Sequence, residues 1–225
     1  MKFRWFILIW SFAFLGVIAL VGIAGMVDPA TKDAIFKEGG VVETLSAAGY
    51  FMAVALLLFQ MVKQRYSKGW SLCVMLLGFG LRELDFDKRF TTMGIFKSRF
   101  YLSNEVMIGE KMIGVLISAL FLVCLFFLLK TFARSFIEDI KARKGQSLTL
   151  LMALVFMVSS KSIDGLGRKL KPLGIVLSDS VRSLAGVIEE SMELMIPLLF
   201  IVAIAEFSRI PRPKPESIEV AQKAL

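Results

Sequence analysis

Histidine is absent from all 225 residues of the chain. This absence removes the usual imidazole base and the commonest zinc ligand. Cysteine is nearly absent too, and the only two, Cys73 and Cys124, lie inside apolar runs. Such positions suggest neither a disulfide framework nor a thiolate metal site. Long polar stretches are also missing, so the sequence has no room for a large soluble domain.

Apolar residues dominate what is present: 56% of the chain is hydrophobic and the mean hydropathy is +0.72. This composition excludes a disordered chain and argues against a water-soluble globule. About 20 apolar residues cross a bilayer, and continuous rather than alternating runs are typical of membrane helices. The sequence therefore predicts an all-α membrane protein with about six transmembrane helices in one domain, 1–209, and a tail, 210–225. The predicted spans are 5–26, 41–62, 70–86, 106–129, 148–164 and 184–207.

The distribution of positive charge predicts how the helices are oriented. The connections at 63–68 and 141–144 carry Lys and Arg with almost no acids, whereas positive residues on the other side are interleaved with acids. By the positive-inside rule, both termini are expected in the cytoplasm. The basic face is expected to attract anionic lipid headgroups of the bilayer, so no nucleic-acid partner is needed to explain the pI of 9.6.

Charged residues within the predicted spans fall at particular helix ends. In an up-and-down bundle, all of these ends lie on the face opposite the termini. A charge at bilayer depth costs a few kcal/mol unless it is paired or reaches water, so one hydrated, carboxylate-rich pocket open to the extracytoplasmic side is predicted. The residues concerned are Glu43, Glu83, Asp85, Glu110, Lys111, Lys161, Asp164, Glu189, Glu190 and Glu193.

Residue type suggests roles for this pocket. Carboxylates serve as general acids or bases, Arg and Lys bind phosphate, and grouped carboxylates hold hard cations such as Mg²⁺ or Ca²⁺. No haem or nucleotide is expected. The predicted catalytic residues are Glu83, Asp85, Glu190 and Glu193. The predicted substrate-binding residues are Arg82, Arg89, Lys161 and Arg168, and the predicted metal ligands are Glu43, Glu83, Glu189, Glu190 and Glu193.

Three short sequence motifs occur at the predicted extracytoplasmic ends of the helices. In chain order they are Glu-Gly-Gly-Val-Val-Glu at 38–43, Arg-Glu-Leu-Asp at 82–85 and Glu-Glu-Ser-Met-Glu-Leu at 189–194. Together they resemble motifs of a broad group of bacterial six-helix integral membrane proteins whose activity is uncharacterised. The resemblance spans most of the chain and implies a multi-pass protein of the bacterial inner membrane. It implies no activity.

Three functional classes fit these observations. The first is an enzyme or binding site for a lipid or lipid-linked substrate, in which the carboxylates act as general base or hold a metal. The second is a transporter that uses the carboxylates as a cation or proton site, although the apolar run 120–128 argues modestly against a continuous pore. The third is an accessory subunit in which the charges form a purely structural ion-pair network. The sequence does not predict the oligomeric state.

Overall fold

The structure is a computed structural model that describes residues 3–37, 39–64 and 68–208. Within these ranges the chain is helical and contains no strand. The predicted tail, 210–225, lies outside the described residues. The helices are α1 (Phe3–Met26), α2 (Pro29–Phe36), α3 (Val41–Gln64), α4 (Trp70–Glu83), α5 (Ser98–Leu102), α6 (Ile108–Lys141), α7 (Gly145–Ile163), α8 (Leu166–Leu170) and α9 (Asp179–Ser208), with 3-10 turns at Phe86–Arg89 and Lys171–Leu173.

Several of these helices are suited to a bilayer. Four segments in the described ranges are long and apolar enough to cross it: Trp5–Met26, Pro29–Lys63, Ile108–Lys141 and Gly145–Ile163. The chain is therefore a helical membrane protein, as predicted. Helix α4 has only 14 residues and so spans about 21 Å, less than the hydrocarbon thickness of about 30 Å. Helix α9 is long but carries acids in its first half.

Helix α9 lies at the centre of the bundle. Helices α1, α3 and α7 pack around it, α4 packs on α3, and α6 packs on α4. The shared core contains buried side chains from most of these helices, including Leu76, Met152, Phe156, Leu199 and Phe200. The outer faces of α1 and α6 are apolar and exposed, as expected for helices that contact lipid.

Side-chain contacts define the helix directions. Ser46, near the start of α3, contacts Glu193 at the middle of α9, and Gln60 contacts Ile204 near the ends of both helices, so these helices are parallel. Helix α7 is antiparallel to α9, because Ser160 contacts Glu193 whereas Thr149 contacts Glu206. Helices α4 and α6 are antiparallel, because the Phe121 ring lies against Gly78 and Trp70 packs on Phe127.

Helix ends differ from the predicted spans where local backbone geometry intervenes. Helix α4 ends at Glu83, three residues before the predicted end, and Asp85 turns the chain with a left-handed φ of 48°. Helix α6 continues to Lys141, well past 129, because the sequence offers no Gly or Pro to stop it. Helix α7 ends at Ile163, with Asp164 as its C-cap residue.

Helix α2 was not predicted. Pro29 occupies its first turn and the Asp28 carboxylate accepts hydrogen bonds from the amides of Ala30 and Thr31, which is a favourable helix start. The bond from the Thr31 hydroxyl is the main reason that the pKa of Asp28 lies below its usual value.

Candidate functional site

Glu193 on α9 is the centre of a polar cluster at the end of the bundle where α4 and α7 end and α3 begins. The residue is 8% exposed. Its Oε1 accepts a hydrogen bond of 2.8 Å from the Ser160 hydroxyl and lies 2.9 Å from Lys161 Nζ. A buried carboxylate is tolerated when it is paired and hydrogen-bonded. These two contacts therefore explain how the bundle accommodates the charge.

The end of α7 is held in a defined geometry. Lys161 also reaches Asp164 at 3.5 Å and Glu189 at 4.0 Å. Gly165, with a left-handed φ of 59°, turns the chain after α7. Lys169 then donates to the Lys161 carbonyl at 2.7 Å, where a cation satisfies an unbonded carbonyl of the last helical turn. Ser160 and Lys161 are thus presented to α9 from a fixed helix end.

The backbone at Glu193 is also held by a contact with another helix. Pro197 lies four residues later and has no amide hydrogen, so the Glu193 carbonyl lacks its helical partner. The Ser46 hydroxyl of α3 donates to that carbonyl at 3.3 Å. One turn further along α3, a Cβ at Gly49 would lie only 3.0 Å from the Pro197 ring. Ser46 and Gly49 therefore let α3 approach α9 closely at this point.

Glu83 contributes a second buried carboxylate at the end of α4. It is 6% exposed, and its Oε1 lies 3.5 Å from the guanidinium of the neighbouring Arg82. Electrostatic interactions connect Glu83 with Glu193 and Lys161. The buried Tyr50 of α3 interacts with both acids. The end of α4 therefore belongs to the same cluster as the ends of α7 and α9.

Glu190 differs from the other acids, because it forms no ion pair and no hydrogen bond with any described residue. It is partly buried, and acids surround it. Glu43 accepts a hydrogen bond from the Gly39 amide. We call the whole set the mixed-charge cluster, in which acids outnumber bases; its members are Glu43, Arg82, Glu83, Ser160, Lys161, Asp164, Glu189, Glu190 and Glu193.

Three of the predicted site residues have no described contact with this cluster. Asp85 pairs with Lys88 at 2.5 Å in the turn after α4. Arg89 and Arg168 are exposed and form no ion pair within the described ranges. The guanidinium of Arg168 instead lies against Gly165.

The other predicted site residues, Glu43, Arg82, Glu83, Lys161, Glu189, Glu190 and Glu193, come together. Their spacing bears on the predicted divalent-cation site. Across the described residues, no three Asp, Glu or Cys side chains are grouped closely enough to hold a metal ion. The metal site stays a prediction, and this spacing favours ion pairing over coordination.

A second buried polar layer lies near the C-terminal end of α9. Glu206, 8% exposed, accepts a hydrogen bond of 3.2 Å from Thr149. Gln60 donates to the Ile204 carbonyl in the last turn of α9 at 3.0 Å. Between this layer and the mixed-charge cluster lie the apolar side chains of Met152, Phe156, Leu199 and Phe200.

Sequence reasoning did not identify Ser46, Tyr50 or Pro197 as parts of the site. A proline four residues after an acid is a readable signal, because it frees the carbonyl of that acid. Nothing in the spacing of Ser46 or Tyr50 identifies their partners, which lie on other helices. Comparison of the chain with protein-family models, curated proteins and solved structures finds no match.

Proposed function

We propose that the chain crosses the membrane six times with both termini in the cytoplasm, and that the mixed-charge cluster binds or transforms a lipid or lipid-linked substrate at the extracytoplasmic side. The parallel pair α3 and α9 and the antiparallel pairs α7 and α9 and α4 and α6 support an up-and-down bundle of six crossings. The basic connection at 141–144 lies at the opposite end of α7 from the cluster, which supports this orientation.

The observation that carries the proposal is the pairing of two accessible cations with buried acids. The side chains of Arg82 and Lys161 are 43% and 40% exposed, and they come from different helices. They interact electrostatically with each other and with Glu193. Partly exposed Arg and Lys side chains suit a phosphate, and an adjacent carboxylate suits a general base. The roles proposed are therefore anion binding for Arg82 and Lys161 and base catalysis for Glu193.

The apolar layer beneath the cluster supports a one-sided site. Met152, Phe156, Leu199 and Phe200 are each less than 5% exposed and fill the space between Glu193 and Glu206. A substrate at the cluster has no evident aqueous route through this layer. An enzyme or binding protein that works at one membrane face fits this arrangement better than an open channel does.

Lipid analysis of cells tests the proposal. A strain that lacks the protein is complemented with the wild type, with Glu193→Gln or with Glu110→Gln, and its lipids are compared by mass spectrometry. We expect the deletion and Glu193→Gln to accumulate the same lipid species. Glu110→Gln serves as the matched control, because Glu110 accepts a hydrogen bond from the Thr92 amide at 3.0 Å and has no described contact with the cluster. A wild-type lipid profile with Glu193→Gln would contradict the proposal.

Proton- or cation-coupled transport is a second candidate, favoured by the excess of acids and by the second buried acid, Glu206. Asp and Glu side chains within transmembrane helices form proton relays in pumps and transporters. Reconstituted vesicles should then show a flux that Glu190→Gln abolishes and Glu110→Gln does not. The third possibility is a structural ion-pair network in an accessory subunit. In that case the substitutions should change neither the lipid profile nor the vesicle flux, whereas Lys161→Gln should lower the free energy of unfolding.

A further inference from the structure

The connection from α7 to α9 begins at the surface of the bilayer. Helix α7 is long and apolar enough to cross the membrane. Its 19 residues span about 29 Å, close to the hydrocarbon thickness of about 30 Å. Lys169 donates to the carbonyls of Lys161 and Ser162 in the last turn of α7, at 2.7 and 3.4 Å. Residues 165–178, which we call the 165–178 segment, therefore start beside the edge of the hydrocarbon layer.

The 165–178 segment exposes large apolar side chains on an ordered backbone. Leu173, Ile175 and Val176 are 73%, 48% and 83% exposed. None of the three belongs to a buried core cluster of the described residues. The Gly174 amide donates to the Lys171 carbonyl at 3.0 Å, and Gly174 has a left-handed φ of 77°, so the turn has a defined shape. An exposed apolar patch of this kind is typical of a surface that contacts a membrane or another protein.

The helices on either side of the segment expose apolar side chains as well. On α7, Val155 and Val158 are three residues apart and exposed, so they share one face of the helix. On α9, Val181 and Leu184 have the same spacing and are also exposed. The exposed apolar face of a membrane-spanning helix contacts lipid. Because the 165–178 segment lies next to such a face, lipid is the partner that fits its apolar side chains.

The charge of the segment indicates which lipid it fits. It contains Arg168, Lys169 and Lys171 and no acid. Lys169 is engaged with the end of α7. Arg168 and Lys171 are exposed and form no ion pair within the described part of the chain. Lys and Arg side chains at a bilayer surface attract anionic headgroups, so these two cations complement a phospholipid with net negative charge.

We infer that the 165–178 segment docks on the bilayer surface and binds anionic phospholipids there. Leu173, Ile175 and Val176 insert at the boundary between headgroups and acyl chains, and Arg168 and Lys171 lie at the level of the phosphates. The backbone of the turn stays in the hydrated headgroup layer, where water satisfies polar groups that the turn leaves unbonded. The inference is independent of what the mixed-charge cluster binds.

The fluorescence of a dye on a single cysteine measures how deeply the segment lies. Cys73 and Cys124 are first replaced by Ala. An environment-sensitive dye is attached to Leu173→Cys or Asp179→Cys, and the full chain is placed in nanodiscs of phosphatidylglycerol and phosphatidylcholine. The dye at Leu173→Cys should emit at shorter wavelength and be quenched by lipids brominated on their acyl chains, but not by aqueous iodide. Asp179→Cys is the matched control and should show the reverse, because the Asp179 side chain is 95% exposed and lies about 200° around α9 from Val181.

Removal of the two cations tests the choice of an anionic headgroup. In discs that contain phosphatidylglycerol, Arg168→Gln with Lys171→Gln should shift the ratio of docked to undocked segment about thirtyfold toward the undocked form. Each cation near an anionic surface contributes about fivefold to that ratio. In discs of phosphatidylcholine alone the same pair should have little effect. Lys97→Gln with Arg99→Gln removes two exposed cations at α5 and should leave the dye at position 173 unchanged.

The two quenchers distinguish lipid from other coverings of the patch. If iodide quenches the dye at Leu173→Cys as strongly as it quenches the dye at Asp179→Cys, the segment lies in water and the inference is wrong. If neither quencher reaches Leu173→Cys, protein covers the patch, which also overturns the inference. Equal effects of the two double variants would show that the segment does not recognise anionic headgroups. All substituted positions in the segment are exposed, so the fold should persist, which gel filtration verifies.

Discussion

At the scale of single residues, Glu193 connects the chemistry of the cluster to the packing of the bundle. Its carboxylate contacts two residues of α7, and its carbonyl accepts a hydrogen bond from α3. Helix α9 is thereby fixed to two neighbours at one residue. Because the same carboxylate is the proposed base, its position is set by contacts that do not depend on a substrate. Such a preorganised group loses little free energy to reordering when a ligand binds.

The hydrogen bond from Ser160 to Glu193 gives a prediction at this scale. Ser160 is fully buried, and its acceptor is a carboxylate. Ser160→Ala should lower the free energy of unfolding by about 1.5–3 kcal/mol, the usual contribution of a hydrogen bond to a charged group. Unfolding by SDS titration in mild detergent measures the difference.

Ser162→Ala is the matched control for this prediction. Ser162 is exposed, and its hydroxyl bonds the Val158 carbonyl within its own helix. Its removal should change the free energy of unfolding by less than about 0.5 kcal/mol. Equal effects of the two substitutions would show that the bond to Glu193 adds no stability.

At the scale of helices, the contact between α3 and α9 depends on a missing amide hydrogen. Pro197 frees the Glu193 carbonyl, and Ser46 satisfies it. Ser46→Ala should therefore lower the free energy of unfolding by about 1 kcal/mol. In a Pro197→Ala background the new amide can bond the same carbonyl, so Ser46→Ala should then have little effect. A double-mutant cycle by SDS titration measures this coupling.

The nearby hydroxyl of Thr44 supplies a control for that cycle. Thr44 bonds the Gly40 carbonyl within the first turn of its own helix. Thr44→Ala should have the same effect with Pro197 or Ala at position 197. If Ser46→Ala is likewise insensitive to position 197, the hydroxyl does not replace the missing helical bond.

The sequence predicts where the long helices lie, because their apolar runs are continuous. It also predicts that most of the acids meet at one end of the bundle, because successive helices run in opposite directions. The predicted site included three residues that do not join the cluster, because the prediction assumed that the helices continue past their actual ends. Asp85 is itself the left-handed residue after α4 and Arg89 follows it, while Arg168 follows the left-handed Gly165. Such a turn rotates every later side chain away from the preceding helical face. The contact of Ser46 with Glu193 was not predictable, because helical spacing describes one helix and not the register between two.

At the scale of the whole molecule, charge differs between the two ends of the bundle. At the cluster end, cations are matched or outnumbered by acids. The N-terminal end of α7 follows a short basic turn that contains Arg143 and Lys144, directly after Lys141. Lys144 forms an ion pair with Asp139. A membrane protein whose short connections at one end carry an excess of Lys and Arg usually inserts with that end toward the cytoplasm. This asymmetry supports the proposed orientation, in which the cluster lies at the extracytoplasmic side.

Cysteine labelling tests this orientation. The native Cys73 and Cys124 are buried and can be replaced by Ala to give an unreactive background. Glu105→Cys lies in the exposed connection before α6, and Ala142→Cys lies in the exposed turn after it. In right-side-out spheroplasts, a membrane-impermeant maleimide should label Glu105→Cys at once and Ala142→Cys only after permeabilisation. The cysteine-free chain is the control and should not be labelled. Labelling in the reverse order would contradict the proposed orientation and place the mixed-charge cluster at the cytoplasmic face. The proposed substrate would then have to be a lipid of the inner leaflet.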